Sequence, residues 1–119
     1  MAGKYTSKAR LKRERKHLRG KGYTVVCTWM DQKESGYEID RTRMEDEAHS
    51  DLTEIKGVDM FILDTLDESP TGGREVELGY FLASPMNKPF WRVGPIRNIF
   101  HSMADMEFES WDEVRRKLR

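Results

Sequence analysis

Residues 59–79 read Asp-Met-Phe-Ile-Leu-Asp-Thr-Leu-Asp-Glu-Ser-Pro-Thr-Gly-Gly-Arg-Glu-Val-Glu-Leu-Gly, and they put a carboxylate, Glu77, where it can do chemistry. An apolar run passes through a Pro/Gly loop into a helical pattern that carries Glu77 near its start. A strand that ends in a Gly-rich loop and then a helix N-terminus places that loop at the carboxyl edge of a parallel sheet, where α/β folds bind ligands. A carboxylate in the first helical turn is expected to be held ionised by the helix dipole. An ionised, positioned carboxylate is suited to nucleophilic attack at a glycosidic carbon. Such a reaction builds positive charge on the sugar, and the leaving group departs more readily when a second acid protonates it. Two carboxyl groups divide the work when their surroundings push their proton affinities apart.

Other constellations carry less. His17, His49 and His101 lack metal-ligand spacing, Cys27 is the single cysteine, and no zinc site is expected. No Ser-His-Asp pattern and no P-loop occur. Tyr5 and Trp29 offer rings that can stack on a flat ligand, although an aromatic on a sheet equally suits the core.

The elements that must position these groups read as alternating helices and strands. Ser7–Arg19 lacks Gly and Pro, places Leu11 and Leu18 seven residues apart on one face, and meets Gly20 and Gly22 at its end. Ser7 is its expected N-cap. Tyr23–Trp29 is β-branched and aromatic and reads as a strand. Met30–Glu47 is polar and reads as a long loop with a short helix around Arg41–His49. Ser50–Lys56 reads as a short helix capped by Asp51, with Glu54 closing a capping box. Met60–Leu66 is a second strand, Arg74–Ala83 a largely buried helix, and Phe90–Val93 a third strand. Gly94–Ser102 is a partly ordered loop, Met106–Glu109 a short strand, and Trp111–Leu118 a terminal helix with Ser110 as N-cap and Glu113 completing its box. This alternation predicts an α/β domain with a parallel sheet.

The chain has 119 residues, which suits one domain spanning 1–119. Its 37% hydrophobic and 35% charged content implies a modest core that gains from oligomerisation. One cysteine in an apolar run fits a reducing cytoplasm. No apolar stretch approaches the roughly 20 residues of a membrane helix, so no membrane partner is expected. The formal net charge is zero, but residues 4–22 hold nine Lys/Arg against Glu14 alone, while 34–51 is rich in acids.

Several of these pieces, in their order and spacing, resemble the nucleoside 2-deoxyribosyltransferase family, which includes the 2′-deoxynucleoside 5′-monophosphate N-hydrolases. They are Ala2-Gly3-Lys4-Tyr5 before a helix, Ser50-Asp51-Leu52, Val58-Asp59 opening a strand, Gly73-x-x-x-Glu77-Leu-Gly-Tyr80, and Asn87-Lys88-Pro89. Arg97-Asn-Ile-Phe-His-Ser102 followed by Phe108-x-x-Trp111-Asp-Glu looks like short phage and bacterial members. The resemblance implies a flavodoxin-like, Rossmann-like parallel sheet flanked by helices. It implies Glu77 as the nucleophile at the anomeric carbon and Asp51 as the group acting on the base or sugar. The position six residues before the nucleophile is Asp in typical transferases and a small hydroxyl residue in the nucleotide hydrolases; here it is Thr71. A hydroxyl beside Gly72-Gly73 suits a phosphate oxygen. Gly3, Tyr5, Trp29 and Gly73 are the further substrate-site candidates. The family completes each site with residues from a neighbouring subunit, matched here by Asn98 and Ser102.

The chain departs from the family pattern in two places. The family's central first strand is almost wholly missing before Gly3, so the natural start is expected upstream. The loop between Asp59 and Glu77 is also longer than in the hydrolases. The expected protein therefore needs no metal or organic cofactor, binds a nucleoside or nucleotide, forms a homodimer or higher oligomer, and is not expected to partner nucleic acid. Two other readings stand beside it: a catalytically idle nucleotide-binding module, and a nucleic-acid-binding protein using the basic N-terminal helix.

Overall fold

The computed structural model describes residues 8–26, 41–68, 72–84 and 87–118. Its elements are α1 (Lys8–Gly20), α2 (Arg41–Lys56), β1 (Phe61–Asp64), α3 (Gly73–Leu82), β2 (Phe90–Val93), a 3-10 turn (Ile99–Met103), β3 (Met106–Phe108) and α4 (Trp111–Lys117). The three strands form one parallel sheet in the order β1-β2-β3. Phe61 pairs with Phe90 and Asp64 with Val93, then Trp91 with Met106 and Val93 with Phe108. The described chain is thus an α/β fold with a three-stranded parallel sheet flanked by helices, a Rossmann-like arrangement.

Helices cover both faces of the sheet, which is why β1 and β2 are buried at every residue. On one face Leu11 and Leu18 of α1 pack with Ile62, Trp91, Val93 and Phe108, and with Trp111 and Val114 of α4. On the other, Ile55 of α2 and Leu78 and Phe81 of α3 pack with Phe61, Leu63 and Phe90. The strand period of two sends neighbouring residues to opposite faces. Phe61 stacks on Phe81 with centroids 5.0 Å apart, so the second core is aromatic at its centre.

The carboxyl ends of the strands meet at Gly94. Thr65 N–H donates to the Val93 carbonyl at 2.8 Å, and Gly94 N–H donates to the Phe108 carbonyl at 2.9 Å. Gly94 has φ +117, and a Cβ there would lie 2.5 Å from Thr65 Oγ1 and 2.7 Å from the Leu66 nitrogen. Only glycine allows this approach.

Three expectations need correction. Residues 23–26 form no strand, and the rest of the expected Tyr23–Trp29 strand, Cys27 included, lies outside the described residues. The Tyr23 N–H donates to the Leu18 carbonyl at 3.2 Å, and the ends of α1 and α4 hold the segment in place. Arg19 Nη2 donates to the Val25 carbonyl at 2.6 Å, and Tyr23 Oη donates to the Leu118 carbonyl at 2.6 Å. The two short helical pieces around Arg41–His49 and Ser50–Lys56 are one helix of 16 residues. Pairs one turn apart, Arg41–Glu45 and Arg43–Glu47, support its first half. Asp51 therefore lies inside a helix and caps nothing. Ser50 and Glu54 are likewise interior. Ser110 caps α4 as expected, its Oγ accepting from Glu113 N–H at 3.5 Å, but the return bond of the expected box falls one residue earlier: Glu113 Oε2 accepts from Glu109 N–H at 2.8 Å. The expected Ser7 cap and the missing first strand fall outside the described residues.

Candidate active site

β1 ends in Asp64, whose side chain is 1% exposed and turns toward α1 and α4. A carboxylate so deeply buried must be paired and hydrogen-bonded. Arg10 Nη2 donates to both of its oxygens at 3.0 Å, Trp111 Nε1 to Oδ2 at 2.8 Å, and Leu66 N–H to Oδ1 at 2.9 Å. Arg10 also reaches Asp67 Oδ2 at 3.2 Å. Asp64 thus joins the sheet to both helices of one layer.

The loop after β1 leads into α3 through Gly72, which is left-handed at φ 78 and provides no side-chain cap. The next residues supply the polar contacts instead. Arg74 is buried at 4% exposure. Its Nη1 donates to the carbonyls of Asp64 at 3.2 Å and Asp67 at 2.7 Å, and its Nε donates to Glu75 Oε1 at 3.0 Å. Glu75 Oε2 also accepts from Asn98 Nδ2 at 3.0 Å and lies 2.9 Å from His101 Nε2. His101 is fully buried. Its Nδ1 accepts from Arg97 N–H at 3.0 Å, so Nε2 carries the ring proton and points it at Glu75. Burial alone would raise the Glu75 carboxyl, but hydrogen bonds from His101, then Arg74 and Asn98, outweigh it and hold the group below its ordinary value.

Glu77 sits two residues further along α3, about half a turn on, half-buried on the side that faces α2. Burial, then the negative charges of Asp51 and Glu54, push its carboxyl up to about 7. This reverses the expectation of a first-turn group held ionised by the helix dipole. The first-turn acid is Glu75, and Glu77 lies beyond the dipole's short reach. The helix pairing nevertheless brings the two expected catalytic residues, Glu77 and Asp51, into one electrostatic neighbourhood. A carboxyl group titrating near neutrality suits proton transfer and nucleophilic chemistry, and such shifts mark functional sites.

The other candidates divide. Gly73 opens α3. Asn98 is engaged within its own chain, since its Nδ2 binds Glu75 and its Oδ1 accepts from Phe100 and His101 N–H at 2.9 and 3.2 Å. Ser102 Oγ donates to the Ile99 carbonyl at 2.6 Å. Gly3, Tyr5, Trp29 and Thr71 lie outside the described residues. Sequence reasoning missed Asp64, Arg74, Glu75, His101 and Trp111 as one network. The available signals were the acid closing the apolar run 60–63 and the Arg-Glu pair at the helix start.

A hollow of about 520 Å³ lies away from both carboxylate groups, at the amino edge of β1, lined by Tyr23, Val25, Val58, Met60, Ile62 and Leu118 among others. That hollow is mainly apolar, with Tyr23 and Asp59 the titratable residues in its lining. Among the described residues, no cluster of three or more His, Cys, Asp or Glu could hold a metal ion, and no described helix is long and apolar enough to cross a membrane. Comparison with protein-family models, curated proteins and solved structures gives no match.

Proposed function

We propose that this protein cleaves or transfers at the N-glycosidic bond of 2′-deoxynucleosides or their 5′-monophosphates, with Glu77 as the nucleophile. The observation that carries the reading is the Glu77–Asp51 pair across α2 and α3, with Glu77 raised to about 7. Glu77 in its ionised form attacks the anomeric carbon. The bond from that carbon to the base nitrogen breaks, its electron pair stays on the base, and Asp51, ionised at rest, passes to the departing base the proton it has taken from Glu77. In the second step water or another base attacks the same carbon and gives up a proton to Asp51, the sugar–Glu77 bond breaks, and the carboxylate returns. Water gives hydrolysis and a base gives transfer.

The electrostatics serve this chemistry twice. The negative field from Asp51 and Glu54 that raises Glu77 also stabilises the cationic sugar of the transition state. A more basic carboxylate is in addition a stronger nucleophile. The reading carries with it the flavodoxin-like arrangement, the homo-oligomeric assembly and the cytoplasmic setting that the resemblance implies.

The test is chromatography of bases after incubation with each deoxynucleoside and deoxynucleoside monophosphate, with and without a second free base, beside Glu77→Ala. Free base or an exchanged nucleoside that disappears in the variant supports the enzyme and separates hydrolysis from transfer. No product from any substrate, with the fold intact by circular dichroism, overturns it and leaves the idle binding module.

A further inference from the structure

The zero net charge hides a segregation of cations onto one face. α1 carries seven Lys/Arg against Glu14, and Glu14 is paired to Arg115 of α4. The two acids of α4 are also engaged, Asp112 with Arg115 and Glu113 with the Glu109 backbone. Arg10 is turned inward to Asp64. What remains outward on this layer is Lys12, Arg13, Lys16, Lys21, Arg116 and Lys117, all exposed and none with an ion pair among the described residues. Lys12 and Lys16 stand one turn apart, about 6 Å along the axis, with Arg13 beside them. A shallow hollow of about 460 Å³ continues the stripe, lined by Arg13, Lys16, His17, Gly20 and Lys21.

Three alternative partners fit this surface poorly. A lipid surface needs apolar residues to insert, and the exposed large hydrophobics of the described chain lie outside α1 and α4. A protein partner needs buried anchors of the same kind. A second copy would have to offer its α2 face, but there Arg41 and Arg43 pair with Glu45 and Glu47, Asp51 and Glu54 are half-buried beside α3, and Asp46 is the exposed acid left to meet six cations. A regularly charged, sequence-independent polyanion needs only this spacing of cations.

We propose that the α1/α4 face binds the phosphate backbone of nucleic acid, without sequence preference, independently of the Glu77 site. The experiment is fluorescence anisotropy of labelled single- and double-stranded 20-mer DNA titrated with the protein across a series of potassium chloride concentrations. For four neutralised phosphates, log K should fall against log salt with a slope of about −3 to −4. The triple variant Lys12→Gln, Arg13→Gln, Lys16→Gln changes only exposed positions; it should weaken binding at least about tenfold at low salt and flatten the slope by about 2 to 3. Lys56→Gln on the other layer and Glu77→Ala should bind as the parent does. The proposal is overturned if affinity ignores salt, if the triple variant binds unchanged, if anionic vesicles but not DNA are bound, or if sedimentation shows the triple variant dissolving a self-association instead.

Discussion

Glu75 and Glu77 stand two residues apart on one helix, and their surroundings drive them in opposite directions. Residues two apart on a helix point to nearly opposite sides. Glu75 therefore meets His101, Asn98 and Arg74, which favour its charge. Glu77 meets α2 with Asp51 and Glu54, and burial together with those charges favours its proton. The difference shows that donors and neighbouring charges, rather than distance from the helix start, decide which carboxylate is a structural tie and which is available for chemistry.

The sharpest way to break this comparison is Glu77→Gln. Turnover should fall by about 10³-fold or more, measured as base release. The same variant tests the electrostatics without any substrate. The folded-state value of about 7 lies above the ordinary 4.5, so stability tied to this group is complete below about pH 4.5 and is lost as pH rises through 7. At pH 8 the amide should be more stable than the parent by up to roughly 3 kcal/mol in urea melts, with no difference at pH 4.

Arg74→Met should come next, costing about 3 kcal/mol, because a buried guanidinium and its three contacts are lost together. Glu75→Gln should cost about 1 kcal/mol at pH 7, the group being partly exposed. Its sign opposes that of Glu77: a lowered carboxyl contributes stability above its ordinary value and loses it as pH falls through the folded value. Urea melts at pH 7 and in strong acid should therefore show the cost shrinking on acidification. The smallest effect belongs to Arg41→Ala, below about 0.5 kcal/mol by thermal melt, since that pair is fully in solvent. A larger loss there would mean that α2 depends on its first turn for more than a surface ion pair.

The elements that were legible in the sequence are those whose information is local. The apolar run of β1, the short aromatic segment Phe90–Val93 and the Ser110 cap of α4 each write their structure within a few residues, and each is present. The length of α2 was not legible, because Ser50 and Asp51 look like a start signal wherever they fall, whereas the helix is already under way before them, with the ion pairs Arg41–Glu45 and Arg43–Glu47 in its first half. Tyr23–Val26 has strand composition, but a strand needs a neighbour to pair with, and here its polar groups are taken by Arg19 and the end of α4. At the site, Glu77 stood out by its place after a strand and a Gly-rich loop and Asp51 through the family resemblance, whereas the Asp64 and Glu75 networks join residues 54, 47 and 26 positions apart and leave no periodic trace.

The tie between Glu14 and Arg115 spans 101 positions, and Arg10 to Asp64 spans 54. From β1 onward, by contrast, each strand pairs with the next one in the chain. Closing long loops costs entropy before any contact repays it, so the sheet with α3 and α4 can assemble first and α1 dock last. On that order, truncating Leu11 or Leu18 leaves the speed of folding nearly untouched and shows almost wholly as faster unfolding. The N-terminal helix then governs how long the assembled molecule persists rather than how quickly it is made.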